Sequence, residues 1–231
     1  MTKTRTRVVA HRGASAAFME NTVEAFAGAR DLGADMVELD ARRTADGSIV
    51  VHHDALLADG RAIVDLEGAD LPGHIPTLGD ALDACAPLRV NVEIKNWPDD
   101  PDFDPTDLVA RAVVDLADVR SLHDALLVSC FHWPTVDRVR TLDPRMETGL
   151  LHVRIDGATA LDEAERRGHH AVHPWDPLVT ADLVTAAHAR GLQVNVWTVD
   201  DPVRMADLAR WGVDGIVTNR PDVARAVVDT G

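Results

Sequence analysis

Nine short runs rich in β-branched residues alternate with eight longer amphipathic stretches, and this alternation limits the fold of the 231-residue chain more than any other feature. The runs predict strands at Arg7–Ala10, Asp35–Leu39, Ser48–His52, Val90–Ile94, Ala125–Ser129, Glu147–Leu151, Ala171–His173, Leu192–Trp197 and Asp214–Val217. The stretches between them predict helices at Thr22–Leu32, Thr77–Cys85, Pro105–Val119, Pro134–Leu142, Gly157–Arg167, Thr180–Arg190, Pro202–Trp211 and Pro221–Val228. Strands that alternate with helices pair in parallel, because each helix carries the chain back to the same end of the sheet. This many strands in one such run fits a (β/α)₈ TIM barrel better than an open doubly wound sheet.

Two details depart from a plain barrel. Nine strands are one too many, and the link from Asp40 to Ser48 is too short for a helix, so it is extended or turns around Asp46-Gly47. Residues Ala55 to Pro76 form an irregular insertion punctuated by Gly60, Gly68, Pro72, Gly73 and Pro76. Loops this long over a barrel end are often functional. No internal repeat or flexible linker interrupts the pattern, so residues 1–231 are expected to form a single domain.

Local signals set the helix ends. Asn21 is expected to cap the first helix, with Glu24 completing a capping box. Gly33 suits the left-handed position after its last turn. Pro134, Pro202 and Pro221 fall where helices begin, where a missing N–H costs nothing.

A hydrophobic share of 46% is enough for a large core. The 38 acidic residues against 23 basic ones give a net charge of −15, which repels nucleic acid and anionic membranes. An anionic substrate then needs a local positive pocket. Cys85 and Cys130 lie in apolar contexts and read as two buried thiols in a reducing compartment. No signal peptide or span-length apolar run is seen. A cytoplasmic protein without stable membrane insertion is expected; its oligomeric state stays open.

Charge gathers at the strand ends, where it packs poorly and serves chemistry well. Glu38 and Asp40 are two apart on one strand, so both carboxylates face one side and Val37 and Leu39 the other. Asn91, Glu93 and Lys95 share a face in the same way. Three carboxylates pointing inward repel one another unless a proton or cation lies between them. Hard oxygen ligands suit Mg²⁺ or Ca²⁺. The rival reading is a salt-bridge cluster around Lys95. His11 and His53 each follow an apolar run and can exchange protons near neutral pH. His52 is the rival of His53, since adjacent residues face opposite ways. Arg12, beside His11, suits bidentate binding of a phosphate.

The ordered set His11-Arg12-Gly13, Glu20-Asn21-Thr22, Glu38-Leu39-Asp40, His53-Asp54 and Glu93-Ile94-Lys95 is similar to the glycerophosphodiester phosphodiesterase family. The segments His173-Pro174-Trp175, Gly191–Val199 and Gly212–Asp222 extend the resemblance over nearly the whole chain. It implies a (β/α)₈ barrel that hydrolyses small glycerophosphodiesters to sn-glycerol 3-phosphate and an alcohol. It implies that His11 and His53 are the acid–base pair and that Glu38, Asp40 and Glu93 hold one divalent cation. Arg12 becomes the phosphate clamp, Lys95 a second positive contact and Trp197 a wall facing the glycerol. Met19 stands where the family often has proline, Cys130-Phe131 where a Ser-Phe pair is familiar, and the segment after His53-Asp54 is shorter than usual. Two other readings are a phospholipase D-like activity on lysophospholipids, which keeps the site and changes the substrate, and a non-catalytic phosphate-ester binding protein on the same barrel, which predicts loss of a catalytic histidine or a metal ligand where all are present.

Overall fold

Strand pairing closes a ring in the computed structural model, which describes residues 5–230. The strands are β1 (Arg7–His11), β2 (Met36–Arg43), β3 (Ile49–Val51), β4 (Arg89–Ile94), β5 (Leu126–Cys130), β6 (Glu147–His152), β7 (Ala171–Pro174), β8 (Gln193–Val196) and β9 (Gly215–Thr218). The order β1-β9-β8-β7-β6-β5-β4-β2 returns to β1 through a β1–β2 pairing, so eight parallel strands form the barrel. The surplus predicted strand is β3, which folds back antiparallel on the end of β2, with Ala41 opposite Val51 and Arg43 opposite Ile49. The short Asp40–Ser48 link is therefore the long end of β2 plus a tight turn, in which Gly47 takes φ +81°.

Among the described residues, eight α-helices cover the barrel: α1 (Val23–Asp31), α2 (Leu78–Cys85), α3 (Leu108–Arg120), α4 (Trp133–Leu142), α5 (Gly157–Arg167), α6 (Ala181–Ala189), α7 (Pro202–Trp211) and α8 (Pro221–Thr230). The main core lies between strands and helices. It takes Val37, Leu39, Ala41, Val90, Val92 and Ile94 from the outward positions of β2 and β4. Inside the barrel, Val9, Met36, Leu127 and Val217 form a small apolar cluster under Trp197. The alternate residues of β2 and β4 are thereby free to carry charge.

One expected cap is corrected. Thr22, not Asn21, caps α1, its side chain accepting from the Ala25 N–H. Asn21 is turned to φ +58° and its amide is drawn into the barrel mouth. Gly33 does adopt the left-handed position, at φ +82°.

The 55–76 segment packs on the β2–β3 hairpin rather than over the barrel. Leu57 and Ile63 are buried with Val50, and Leu66, Leu71 and Ile75 pack against them. Cys85 and Cys130 are buried, unbridged thiols, and burial pushes each up to about 12. Among the described residues, no helix is long and apolar enough to cross a membrane.

Candidate active site

The predicted site residues come from five strands, β1, β2, β3, β4 and β8, and the turns that follow them. Register sets their heights. His11 lies beside Glu38 and Glu38 beside Asn91, with Asp40 and Glu93 paired one step higher. His11, Arg12, Glu38, His53, Glu93, Lys95 and Trp197 all line one cavity of about 110 Å³. Asp40 lies just beneath it, almost fully buried.

Glu38, Asp40 and Glu93 each offer an oxygen within 4.8 Å of the others. Glu38 Oε1, Asp40 Oδ1 and Asn91 Oδ1 are buried without a hydrogen-bond partner. Burial, then the Asp40 and Glu93 charges, hold the Glu38 carboxyl well above its usual range. Burial also acts against the Asp40 carboxylate, but Lys95 and Arg12 outweigh it and hold Asp40 at about 2. Asn21 adds a hydrogen bond from Nδ2 to Asp40 Oδ2 at 2.8 Å. The salt-bridge reading is partly realised: Lys95 Nζ lies 2.7 Å from Glu93 and 3.5 Å from Asp40. Unpartnered hard oxygens beside a carboxyl that favours a proton fit a divalent cation.

The turn after β1 explains the His-Arg-Gly run. Arg12 is left-handed at φ +55°, which aims its N–H at Glu38 Oε2, 2.9 Å away. Gly13 follows at φ +79°, and a Cβ there would lie 2.6 Å from the Ala25 carbonyl carbon. Arg12 Nη1 pairs with Glu20 at 2.9 Å, while its buried Nε, 3.3 Å from Asp40, makes no hydrogen bond. Arg12 thus lies between the Glu20 and Asp40 carboxylates at the cavity wall.

The two histidines are held differently. His11 Nδ1 lies 2.7 Å from Asn219 Oδ1. The Asn219 amide donates to Asp200 Oδ2 at 2.6 Å, so its oxygen must face His11. This puts the His11 proton on Nδ1 and leaves Nε2 with a lone pair. Burial, then the Arg12 charge, lowers the His11 pKa below its ordinary value and favours that neutral form. His53 sits on the turn after β3, a third exposed, with Nδ1 2.7 Å from Asp54 Oδ1. His52 binds the Asp54 carbonyl through Nδ1 at 2.9 Å and lines neither cavity of the mouth.

The second cavity, about 330 Å³, opens beside the first. The two share His53, Glu93, Lys95 and Phe131. Trp97, Ala55 and Val153 supply much of its apolar lining. Phe131 separates Trp97 from Trp197 by edge-to-face contacts, with ring centroids 5.8 and 5.4 Å away.

A family model described as the glycerophosphoryl diester phosphodiesterase family matches residues 11–223. The chain belongs to that family. A glycerophosphodiester phosphodiesterase of Caldanaerobacter subterraneus is 28% identical over 98% of this chain and 99% of its own length. A Mycobacterium tuberculosis protein named "Probable glycerophosphodiester phosphodiesterase 2" is 32% identical over 95% of this chain and 89% of its own. The solved glycerophosphodiester phosphodiesterase of Thermotoga maritima superposes with a TM-score of 0.83 at 25% identity, covering 97% of this chain and 99% of that one. An Oleispira antarctica phosphodiesterase, solved with the product sn-glycerol-3-phosphate, shares the fold with a TM-score of 0.82 at 23% identity, covering 97% of each chain.

Within this family frame, residues outside the predicted site shape it. Asn219 and Asp200 fix one histidine, Asn21 and Asn91 face the carboxylates, and Arg42 reaches the backbone of the other histidine. Asn21 and Asn219 lie inside the motifs that carried the resemblance. Nothing in the sequence spacing marks Arg42 or Asp200, because their partners are distant in the chain.

Proposed function

We propose that the chain hydrolyses glycerophosphodiesters to sn-glycerol 3-phosphate and an alcohol, as a single-domain cytoplasmic enzyme dependent on one divalent cation. Glu38, Asp40 and Glu93 would hold the cation, Mg²⁺ or Ca²⁺, which when bound supplies Lewis-acid charge to the phosphoryl oxygens and glycerol hydroxyls. The observation that carries this reading is the convergence of two histidines, two cationic side chains and the carboxylate cluster on one small cavity.

Arg12 and Lys95 offset the charge of the phosphate in an otherwise acidic protein, and Trp197 walls the glycerol side. His11, neutral with its lone pair on Nε2, takes a proton from the nucleophile, either water or the neighbouring glycerol hydroxyl. His53 borders both cavities whereas His11 borders only the smaller one. We therefore assign His53 to give its proton to the departing alkoxide, with the alcohol leaving through the larger cavity.

The 55–76 segment contributes only Ala55 to that cavity, which stays open to solvent. Glycerophosphocholine, glycerophosphoethanolamine and glycerophosphoglycerol should accordingly be cleaved at kcat/KM values within about tenfold, a spread of ~1.4 kcal/mol. Bis(p-nitrophenyl) phosphate, which lacks glycerol, should be poor. The test is release of glycerol 3-phosphate from this panel with and without EDTA. Activity lost in chelator and restored by Mg²⁺ or Ca²⁺ is expected. Full activity in EDTA, or faster cleavage of the glycerol-free diester, would remove the proposal.

A further inference from the structure

Arg42 lies at the end of β2, its side chain only 3% exposed. All three of its nitrogens are engaged. Nε donates to the His53 carbonyl at 2.9 Å. Nη1 donates to both oxygens of Asp102, at 2.8 and 2.7 Å. Nη2 donates to Asp100 Oδ2 at 2.9 Å. Asp102 is itself buried, with 2% of its side chain exposed. One planar guanidinium therefore ties together the end of β2, the turn bearing His53 and the loop after β4 that also carries Trp97.

Stability alone explains this arrangement poorly. A buried ion pair gains little over apolar residues of similar volume, because both charges must be stripped of water. A fork of fixed donors does supply geometry, and here the geometry ends on His53. That imidazole needs such support. It is a third exposed, and its one side-chain partner, Asp54, is mostly exposed too. Imidazole placement sets proton-transfer efficiency, because the proton must travel along a short, aligned hydrogen bond.

We propose that Arg42 is a positioning residue for the acid step: it holds the His53 backbone so that the imidazole faces the leaving oxygen across the boundary of the two cavities. The step itself transfers the His53 proton to the alkoxide oxygen as the P–O bond breaks, leaving neutral imidazole. The proposal rests on the assignment of His53 as acid, and the experiment separates the two.

Glycerophosphocholine, whose alkoxide needs a proton to leave, is compared with the p-nitrophenyl ester of glycerol 3-phosphate, whose phenolate leaves without one. The variants are Arg42→Lys, which keeps a charge for Asp102 but loses the fork, and Arg42→Met combined with Asp102→Leu, which removes both buried charges. Thermal unfolding checks that each is folded. Each should lower kcat on glycerophosphocholine by about 10-fold or more while changing the nitrophenyl ester by less than about 3-fold, with KM nearly constant. In a His53→Ala background Arg42→Lys should add less than about 2-fold, because residues acting as one unit are not additive. Equal losses on both esters, or none on either, would overturn the role of Arg42. If His53→Ala itself fails to distinguish the esters, the acid assignment falls and this proposal with it. If His53→Ala distinguishes them and the Arg42 variants do not, only the role of Arg42 falls.

Discussion

The barrel buries polar groups on two sides, and the sides are built differently. Where β1, β2 and β4 meet, the groups are Glu38, Asp40 and Glu93, faced by Arg12 and Lys95. Across the interior, on β5 to β8, they are Ser129, His173 and Asn195, all uncharged. His173 is deeply buried, and burial pushes its pKa down to about 3. Asn195 Nδ2 lies 3.0 Å from His173 Nε2, and Gly149 makes room for the ring, since a Cβ there would sit 2.5 Å from Nε2. Both sides leave oxygens without a hydrogen bond or ion pair, Ser129 Oγ and Asn195 Oδ1 on one, Glu38 Oε1 on the other. A stranded carboxylate oxygen is far costlier than a stranded hydroxyl or amide oxygen. The neutral side can stand as scaffold, whereas the charged side asks for a ligand.

Neutralising the charged side should have the largest effect. Glu38→Gln and Asp40→Asn are expected to lower kcat by about 10²–10³-fold, the scale for losing a fixed electrostatic group. Added metal should not restore them, and steady-state rates across a Mg²⁺ or Ca²⁺ titration check this. Wild-type rates in either variant would erase the contrast between the sides.

Next come the histidines at the edge of the charged side. His11→Ala and His53→Ala should each cost about 10²-fold in kcat, and His52→Ala much less. If His52→Ala proves the damaging change, the turn after β3 presents the other imidazole to the substrate.

The smallest effect lies on the neutral side and concerns stability. The folded His173 binds a proton near 3, whereas the unfolded side chain binds one near 6.5. Between these values the unfolded chain holds more protons, so stability should fall as pH drops from about 6.5 toward 3 and be insensitive to this group above 6.5. His173→Gln should be less stable at neutral pH by about 1–3 kcal/mol through the altered hydrogen bonding, with a shallower acid slope. Urea unfolding at several pH values measures both. An unchanged slope would mean that another buried group, such as His169 or His152, dominates the acid response.

The legible part of the molecule was whatever repeats along the chain or sits beside something that does. Period-two alternation put Glu38, Asp40 and Glu93 on one face, and the βα rhythm gave the barrel. Helix starts at Pro202 and Pro221 followed from the missing proline N–H, which costs nothing in a first turn. What stayed hidden depends on partners far away. Asn21 has the chemistry of a cap, but Asp40 competes for its side chain and Thr22 takes over the cap. Arg42 and Asp102 are 60 residues apart, and His11 and Asn219 are 208 apart. No local spacing encodes such pairs. The surplus strand β3 and the irregular 55–76 segment stood out, but their common answer, a hairpin with its own apolar cluster, needs the pairing of Val50 with Arg42 and Thr77.

The β1–β9 seam has a consequence in time. Val9 pairs with Val217, Ala10 with Thr218, and His11 leans on Asn219. A ribosome releases the first strand long before the last. A nascent chain can thus carry all three carboxylates, Arg12 and both histidines while His11 still lacks the support that fixes its tautomer. The ring cannot close until β9 emerges. Hydrolysis should begin only with the finished chain, so a truncation before residue 215 yields a protein that holds the charges of the site without its orientation.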